Sequence, residues 1–163
     1  MPSEAVVRLS IGARRRSSTL SGAPAGTFAA HYADQMARYL HTMIRITNPQ
    51  RSRAFYEALG MEFRRELPIV RDGHHEATNY FMGFPEQEEE LELTWNTDGR
   101  TYEVGNGYGH IAVGVDDLEA TLARLTEQGI EPERPPYQVR EGGSFLTFVR
   151  DPDGYRIELI GRA

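Results

Sequence analysis

Two similar halves of this chain begin with the stretches His41-Thr42-Met43-Ile44-Arg45-Ile46 and His110-Ile111-Ala112-Val113-Gly114-Val115. Apolar residues alternate with other residues in both stretches, which is typical of a half-buried β-strand. Alternation sends each histidine to one face of its strand and the isoleucine and valine side chains to the other. The same number of residues separates each histidine from a glycine that ends a predicted helix, Gly60 and Gly129. The chain is therefore predicted to contain two copies of one structural unit.

Each predicted strand is followed by a helix and then by three more strands. The pair Asn48-Pro49 is an N-cap with a proline suited to the first turn, and the first helix is predicted to run from there to Gly60. The pair Asp116-Asp117 caps the second helix, which ends at Gly129. Strands are predicted at residues 61–65, 78–83 and 91–95 in the first half and at 130–134, 144–149 and 155–160 in the second, with loops at 71–77 and 85–90. One such unit exposes an apolar sheet face that a second copy can cover.

Both halves end on a strand in which one glutamate stands between apolar neighbours. Alternation turns Glu92 and Glu158 to the same side as the histidines, away from the helices. Two carboxylates facing one cavity repel each other, and the chain has no lysine to pair with them. A divalent cation would remove that cost, and imidazole with carboxylate suits Zn, Ni, Co, Mn or Fe(II). The sequence therefore predicts one metal site built from four side chains: His41, Glu92, His110 and Glu158.

Another interpretation of these residues is structural, because a single strand histidine is often a hydrogen-bonded residue and a strand glutamate often faces solvent. Recurrence of the pair in both halves favours the metal site. His31, His74 and His75 have no such counterpart. The last two follow Asp72-Gly73 in a predicted polar loop and are interpreted as solvated.

Composition excludes several classes of function. The net charge of -6 argues against nucleic acid or an anionic membrane as a partner. Absence of cysteine excludes thiol nucleophiles and thiolate metal ligands, and absence of lysine excludes Schiff-base chemistry. No stretch approaches the roughly 20 apolar residues that are needed to span a bilayer. The composition is that of an ordinary soluble protein, whose chemistry would have to use His, Glu, Asp, Tyr, Arg or a metal.

Residues 1–35 differ from the rest, because they are rich in arginine and serine and poor in acids. We interpret them as a disordered N-terminal extension that precedes a single domain at residues 36–163. Within that domain, module one covers about residues 38–97 and module two about residues 108–161. A cytoplasmic location is expected, and organelle targeting by residues 1–35 is the alternative.

The motifs of both modules resemble those of the lactoylglutathione lyase (glyoxalase I) family, over about residues 38–161. The matching stretches are His41–Arg45, Leu59–Met61, Glu92–Asn96, Gly107–Ala112 and Asp151–Glu158. This family belongs to the vicinal-oxygen-chelate superfamily, so the resemblance implies an α+β fold of two βαβββ modules with curved mixed sheets. It also implies a homodimer whose sites form between subunits. His41 and Glu92 of one chain would then face His110 and Glu158 of the other.

The resemblance further implies an activity and a cofactor. Members of the family isomerise the hemithioacetal of methylglyoxal and glutathione to S-D-lactoylglutathione through an enediolate, a step in methylglyoxal detoxification. One divalent ion per site would stabilise the enediolate as a Lewis acid, with Ni or Co favoured and Zn as an alternative. Glu158 would be the principal base, and Glu92 a ligand that can also act on the other face of the substrate.

Three further residues match positions that contact substrate in the family. Arg45 would pair with a glutathione carboxylate, Asn96 would hold the peptide portion, and Asn106 stands where some members have an arginine for the second carboxylate. Arg140 is an alternative for that second contact. Other readings of the whole chain are an epimerase, dioxygenase or fosfomycin-modifying transferase of the same superfamily, or a metal-free binding protein that sequesters a ligand.

Overall fold

A computed structural model of the chain describes residues 38–161, which fold into two helices and two four-stranded sheets. In chain order the elements are β1 (His41–Ile46), α1 (Pro49–Ala58), β2 (Glu62–Arg71), β3 (His74–Gly83), β4 (Glu90–Asn96), β5 (Ile111–Val115), α2 (Leu118–Glu127), β6 (Tyr137–Gln138), β7 (Phe145–Arg150) and β8 (Arg156–Gly161). The predicted extension at residues 1–35, with His31 in it, lies outside the described residues. No helix within residues 38–161 is long and apolar enough to cross a membrane.

The two sheets have the same topology. Their strand orders are β1-β4-β3-β2 and β5-β8-β7-β6. In each sheet the first strand pairs with the last in parallel, and the remaining pairs are antiparallel. The predicted α+β fold of two βαβββ modules with mixed sheets is therefore confirmed.

Both helices begin and end as their sequences predict. The side chain of Asn48 accepts a hydrogen bond from the backbone N–H of Arg51 at 2.9 Å, and Asp117 caps the second helix in the same way. Such caps satisfy N–H groups that have no partner inside the helix. Gly60 and Gly129 follow the helices with φ of 96° and 75°, a backbone region that favours glycine.

One continuous apolar core joins the two modules. It contains Ile44 and Ile46 from the helix-facing side of β1, together with Phe55 of α1. Module two contributes its own buried apolar residues, Leu125 of α2 and Ile157 of β8 among them. The helix-facing sides of both sheets are thus buried, which leaves their opposite faces for other side chains.

Hydrogen bonds across the modules hold the turn between β7 and β8. Tyr56 of α1 donates to Asp151 Oδ2 at 2.9 Å in the interior. Asp153 accepts from the backbone N–H and hydroxyl of Thr47, at 2.9 and 2.6 Å, and from the Ser52 hydroxyl at 3.1 Å. A turn of module two is therefore fixed by the end of β1 and by α1 of module one.

The predicted loop at residues 71–77 is wrong. The strand β2 continues to Arg71, and β3 begins at His74. Asp72 and Gly73, with φ of 50° and 77°, therefore form a two-residue hairpin turn. His74 and His75 therefore belong to a strand, although both are exposed as predicted. Both lie at the hairpin end of the inner strand β3, and the His75 ring contacts the Thr78 hydroxyl at 2.8 Å.

The predicted strand at residues 130–134 is also wrong, because the fourth strand of the second sheet is the two-residue β6. Residues 130–134 run beside β7, where the N–H of Glu133 donates to the carbonyl oxygen of Phe148. Pro135 and Pro136 follow directly, and they lack the N–H groups that a longer ladder would need. A smaller error is that β4 begins at Glu90, the last residue of the predicted loop 85–90.

Replacing Tyr56 with phenylalanine should test the junction. Burial raises the pKa of Asp151, whereas the Tyr56 hydrogen bond lowers it, because that bond favours the ionised carboxylate. We expect Tyr56→Phe to reduce the free energy of unfolding by about 1.5–3 kcal/mol at neutral pH. The loss should shrink in acid, because the removed bond is stronger to the ionised carboxylate than to the protonated carboxyl.

The measurement is urea unfolding of both proteins across a pH series. The difference between wild type and variant should grow as pH rises through the Asp151 pKa, since the variant carboxyl has the higher pKa of the two. In an Asp151→Asn background the pH dependence of the difference should vanish. A difference that is independent of pH in the wild-type background would contradict this account.

Candidate active site

Each module brings one histidine and one glutamate together on the sheet face opposite its helix. His41 Nε2 lies 3.2 Å from Glu92 Oε2, and His110 Nε2 lies 3.1 Å from Glu158 Oε2. Both imidazoles are 41% exposed, while the carboxylate side chains are only 12% and 15% exposed. The two pairs, called half-sites below, are almost identical in geometry and burial.

Strand pairing produces this equivalence. The strand β1 runs parallel to β4, and Met43 is the residue opposite Glu92. The strand β5 runs parallel to β8, and Ala112 is the residue opposite Glu158. In each module the imidazole thus comes from two positions before the residue that faces the glutamate.

The four predicted ligands do not form a single cluster in one chain. Among residues 38–161, no three His, Cys, Asp or Glu side chains converge in a way that could hold a metal ion. The structure joins His41 with Glu92 and His110 with Glu158, and it keeps these two pairs apart. One copy of the chain therefore presents two half-sites, each with two donor groups.

The spacing within each half-site fits a shared metal ion. Nitrogen and oxygen ligands lie about 2.0–2.1 Å from a zinc-like ion, so two neighbours in its shell lie about 3.0–3.4 Å apart. The observed separations of 3.2 and 3.1 Å fall in this range. An exposed imidazole beside a largely buried carboxylate oxygen is also the donor chemistry that divalent transition metals select.

A phenylalanine lies behind each histidine, which the sequence analysis missed. The rings of His41 and Phe81 meet edge-to-face with centroids 6.1 Å apart, and those of His110 and Phe148 with centroids 5.5 Å apart. Phe81 and Phe148 stand opposite Glu92 and Glu158 in the strand register. The signal was available, because both phenylalanines occupy the same place in the repeat.

An arginine guanidinium stacks on each of these phenylalanine rings. The Arg65 guanidinium lies 3.8 Å from the Phe81 ring centre, and that of Arg156 lies 3.9 Å from the Phe148 ring centre. Hydrogen bonds from Arg65 lower the pKa of Glu90, and hydrogen bonds from Arg156 lower the pKa of Glu133. Each half-site is thus backed by an aromatic ring and an ion pair.

A cleft of about 290 Å³ lies beside Glu92. Arg45 and Asn96, two predicted substrate contacts, line it together with this carboxylate. The amide of Asn96 donates to the Tyr102 hydroxyl. The third predicted contact, Asn106, lies in an exposed turn of the connection between the modules and is not among the residues that line this cleft.

Four polar residues of this cleft were not predicted as site residues. Arg71 and Glu76 form an ion pair at 3.4 Å, and Asn79 and Thr94 are cross-strand neighbours that reach towards Glu92. Arg71 and Glu76 escaped notice because they fell in a predicted loop. The pairing of Asn79 with Thr94 depends on strand register, which no local pattern reports.

A larger cleft of about 560 Å³ lies on the helix side of the molecule, between α1 and the residues after α2. Its charged lining consists of Arg51, Glu131, Glu133, Arg150 and Asp151. No histidine lines it, and Glu133 and Arg150 are already paired with each other at 2.9 Å. None of the four predicted metal ligands lines this larger cleft, whereas Glu92 lines the smaller one.

The chain is similar to known proteins of one superfamily. The profile of the Glyoxalase/Bleomycin resistance protein/Dioxygenase superfamily matches residues 38–159. Lactoylglutathione lyase of Salmonella typhimurium is 41% identical over 126 residues, which are 76% of this chain and 91% of that protein. A probable lactoylglutathione lyase of Synechocystis is 40% identical over 124 residues, which are 74% of this chain and 92% of the relative.

Solved structures give the same result. The trypanothione-dependent glyoxalase I of Leishmania major superposes with a TM-score of 0.65 at 36% identity, over 77% of this chain and 87% of that one. Glyoxalase I of Zea mays superposes with a TM-score of 0.68 at 35% identity, over 77% of this chain, which spans only 45% of the maize chain. The chain belongs to the glyoxalase/bleomycin resistance protein/dioxygenase superfamily and, within it, to the lactoylglutathione lyase (glyoxalase I) family of enzymes.

Proposed function

We propose that this enzyme is a metal-dependent glyoxalase I that isomerises the hemithioacetal of methylglyoxal and glutathione to S-D-lactoylglutathione, and so removes methylglyoxal. The observation that carries the proposal is the pair of equivalent His–Glu half-sites at 3.2 and 3.1 Å. Identity of about 40% to lactoylglutathione lyases over three quarters of the chain supports the substrate.

In this proposal a complete site forms between two copies of the chain. His41 and Glu92 of one copy meet His110 and Glu158 of a second copy, which unites four donors that one chain keeps in two pairs. The 41% exposure of both imidazoles supports this arrangement, because each half-site is open towards solvent. Large apolar side chains are exposed near the first half-site, including Leu40 and Met43, and burial in a dimer would remove them from water.

The donor set determines which ion is suitable. Two neutral imidazoles and two carboxylates balance the charge of a divalent cation, and Ni or Co is favoured over Zn on the resemblance to the compact members of the family. When bound, the ion would supply Lewis-acid polarisation of the two neighbouring oxygens of the substrate. The ligands in this proposal are His41, Glu92, His110 and Glu158.

The protein side chains carry the proton transfer and the binding of the thiol portion. A carboxylate oxygen of Glu158 takes the proton from C1 of the hemithioacetal and returns it to C2. The guanidinium of Arg45 pairs with a glutathione carboxylate, an interaction that a planar, always charged group suits. Asn96 holds the peptide portion, and Asn106 contacts the second carboxylate from the connection between the modules.

Removal of metal should abolish the activity reversibly. We expect the chelated, metal-free protein to form no thioester from methylglyoxal and glutathione, and activity to return when Ni²⁺ is added back. Formation of the thioester is followed by its ultraviolet absorbance. Full activity in the metal-free protein would exclude a metal-dependent reaction. Tight binding of the hemithioacetal without turnover at any metal loading would favour the ligand-sequestering alternative.

Glu158→Gln should test the base. The substitution keeps the size of the side chain and removes its ability to accept a proton, so kcat should fall by about 10²–10⁴-fold. The measurement is turnover at saturating hemithioacetal, with metal content determined on the same samples to separate lost chemistry from lost metal. Glu127→Gln is the control, since this exposed carboxylate lies at the end of α2, on the helix side of the sheet, and should be dispensable for turnover. A fully active Glu158→Gln variant would overturn the assignment.

Arg45→Gln should affect binding more than chemistry. Loss of a charge-assisted pair with the glutathione carboxylate should raise KM about 10-fold or more, with a smaller change in kcat. Arg71→Gln is a matched control, because Arg71 lines the same cleft but is paired with Glu76 at 3.4 Å. Equal effects of the two substitutions would show that the cleft needs positive charge in general, and would remove the specific role of Arg45.

A further inference from the structure

We propose that Thr94 and Asn79 are positioning residues, which hold Glu92 in one orientation and thereby restrict it to the role of a metal ligand. The inference rests on the proposed function, and it explains how two equivalent carboxylates take different roles. Glu158, which has no such hold, is then the carboxylate that is free to move a proton.

Glu92 is held in place by two hydrogen bonds in series. The Thr94 hydroxyl lies 3.1 Å from Glu92 Oε1 and 3.1 Å from Asn79 Oδ1. A hydroxyl has one proton, and the ionised carboxylate is the stronger acceptor. The two ends of an amide have the same shape, so Asn79 can present its NH₂ group to the Thr94 oxygen. With the oxygen and nitrogen of the Asn79 amide exchanged, the amide donates to the hydroxyl, and the hydroxyl donates to Glu92.

Both oxygens of Glu92 are therefore engaged. Oε2 faces His41 at 3.2 Å, and Oε1 accepts the Thr94 hydroxyl. Thr94 is only 5% exposed, so water cannot readily replace its hydroxyl. A carboxylate fixed at both ends keeps the rotamer in which it meets the imidazole, which is what a metal ligand requires.

The described part of module two has no equivalent of these hydrogen bonds. Asn79 stands opposite Thr94, two positions from the pair Phe81 and Glu92. In the second sheet, the residues that stand two positions from the pair Phe148 and Glu158 are Leu146 and Ile160. These two apolar side chains have no hydrogen-bond donor. Within residues 38–161, the neighbour recorded for the Glu158 carboxylate is His110 at 3.1 Å, and no hydroxyl reaches it.

This difference separates the roles of the two glutamates. A base that takes a proton from C1 and returns it to C2 has to shift its oxygen between two carbon atoms, so it needs rotational freedom. Glu158 has that freedom on one oxygen, whereas movement of Glu92 would break the bond to Thr94 and leave a buried group without its partner. The Thr94 and Asn79 pair thus keeps Glu92 as a ligand only, and Glu158 is the ligand that also acts as the base.

Metal affinity is the readout that separates positioning from a structural role. The probe is Ni²⁺ alone, titrated into the metal-free full-length chain in competition with a chromogenic chelator. Thr94→Val removes the hydroxyl with little change of shape, and we expect it to weaken Ni²⁺ binding about 10-fold, in the range for lost partners of metal ligands. Thr94→Ser retains the hydroxyl and should bind Ni²⁺ as tightly as the wild type.

Thr78→Val is the matched control. Thr78 lies in the same sheet, is also 5% exposed, and has a hydroxyl bonded to the His75 ring instead of to Glu92. It should lose stability comparable to that of Thr94→Val and retain wild-type affinity for Ni²⁺. A double-mutant comparison adds the direction of the coupling: Thr94→Val should have no further effect in a Glu92→Ala background and its full 10-fold effect in a Glu158→Ala background.

The possible outcomes distinguish this inference from the proposed function. Weak Ni²⁺ binding by Glu92→Ala together with wild-type binding by Thr94→Val would overturn the positioning role and leave the proposed function intact. Unchanged binding by Glu92→Ala would overturn both. Failure of Thr94→Ser to restore affinity, or an equal loss in Thr78→Val, would mean that packing alone is at work and would also overturn the inference.

Discussion

Burial of the helix-facing sides of both sheets is the constraint on which the rest of this structure depends. Ile44 and Ile46 on β1 and Ile157 and Leu159 on β8 enter one shared core. Because successive side chains of a strand point to opposite faces, this burial directs each intervening residue outward. Glu92 and Glu158 reach the open face for that reason, and they meet their histidines there because each terminal strand pairs in parallel with the first strand of its module.

The same constraint explains what could be predicted from sequence. The period-two pattern gives the outward direction of His41 and Glu92, and the repeat gives the equivalence of the second pair, so both half-sites were predictable. Helix caps are local signals and were correct at Asn48 and Asp117. The strand predicted at residues 130–134 does not form, although its apolar pattern favours one, because Pro135 and Pro136 follow it and prevent a full ladder.

Features that depend on the pairing of distant strands could not be predicted in this way. Asn79 and Thr94 meet because β3 and β4 pair in one register, and a shift by one residue would have sent Asn79 to the helix side. The junction of Tyr56 with Asp151 likewise joins residues that are far apart in the chain. Contacts of this kind can be found only in the three-dimensional structure, whereas the candidate metal ligands could be identified from the sequence. The pairing of one histidine with one glutamate in each module was therefore predictable from the sequence, and the hydrogen bonds of Thr94 with Asn79 and Glu92 were not.

The two stacks behind the histidines are built from different strands, although their rings and charges are alike. Arg65 comes from β2, at the far edge of the first sheet, whereas Arg156 belongs to β8 and stands two residues before Glu158. Support for His41 thus requires an edge strand of ten residues, and support for His110 requires no edge strand at all. The second sheet can therefore end in the two-residue β6 without loosening its imidazole. The rim of that sheet reaches the stack through one ion pair instead, between Arg156 and Glu133 of the segment beside β7 that forms no strand.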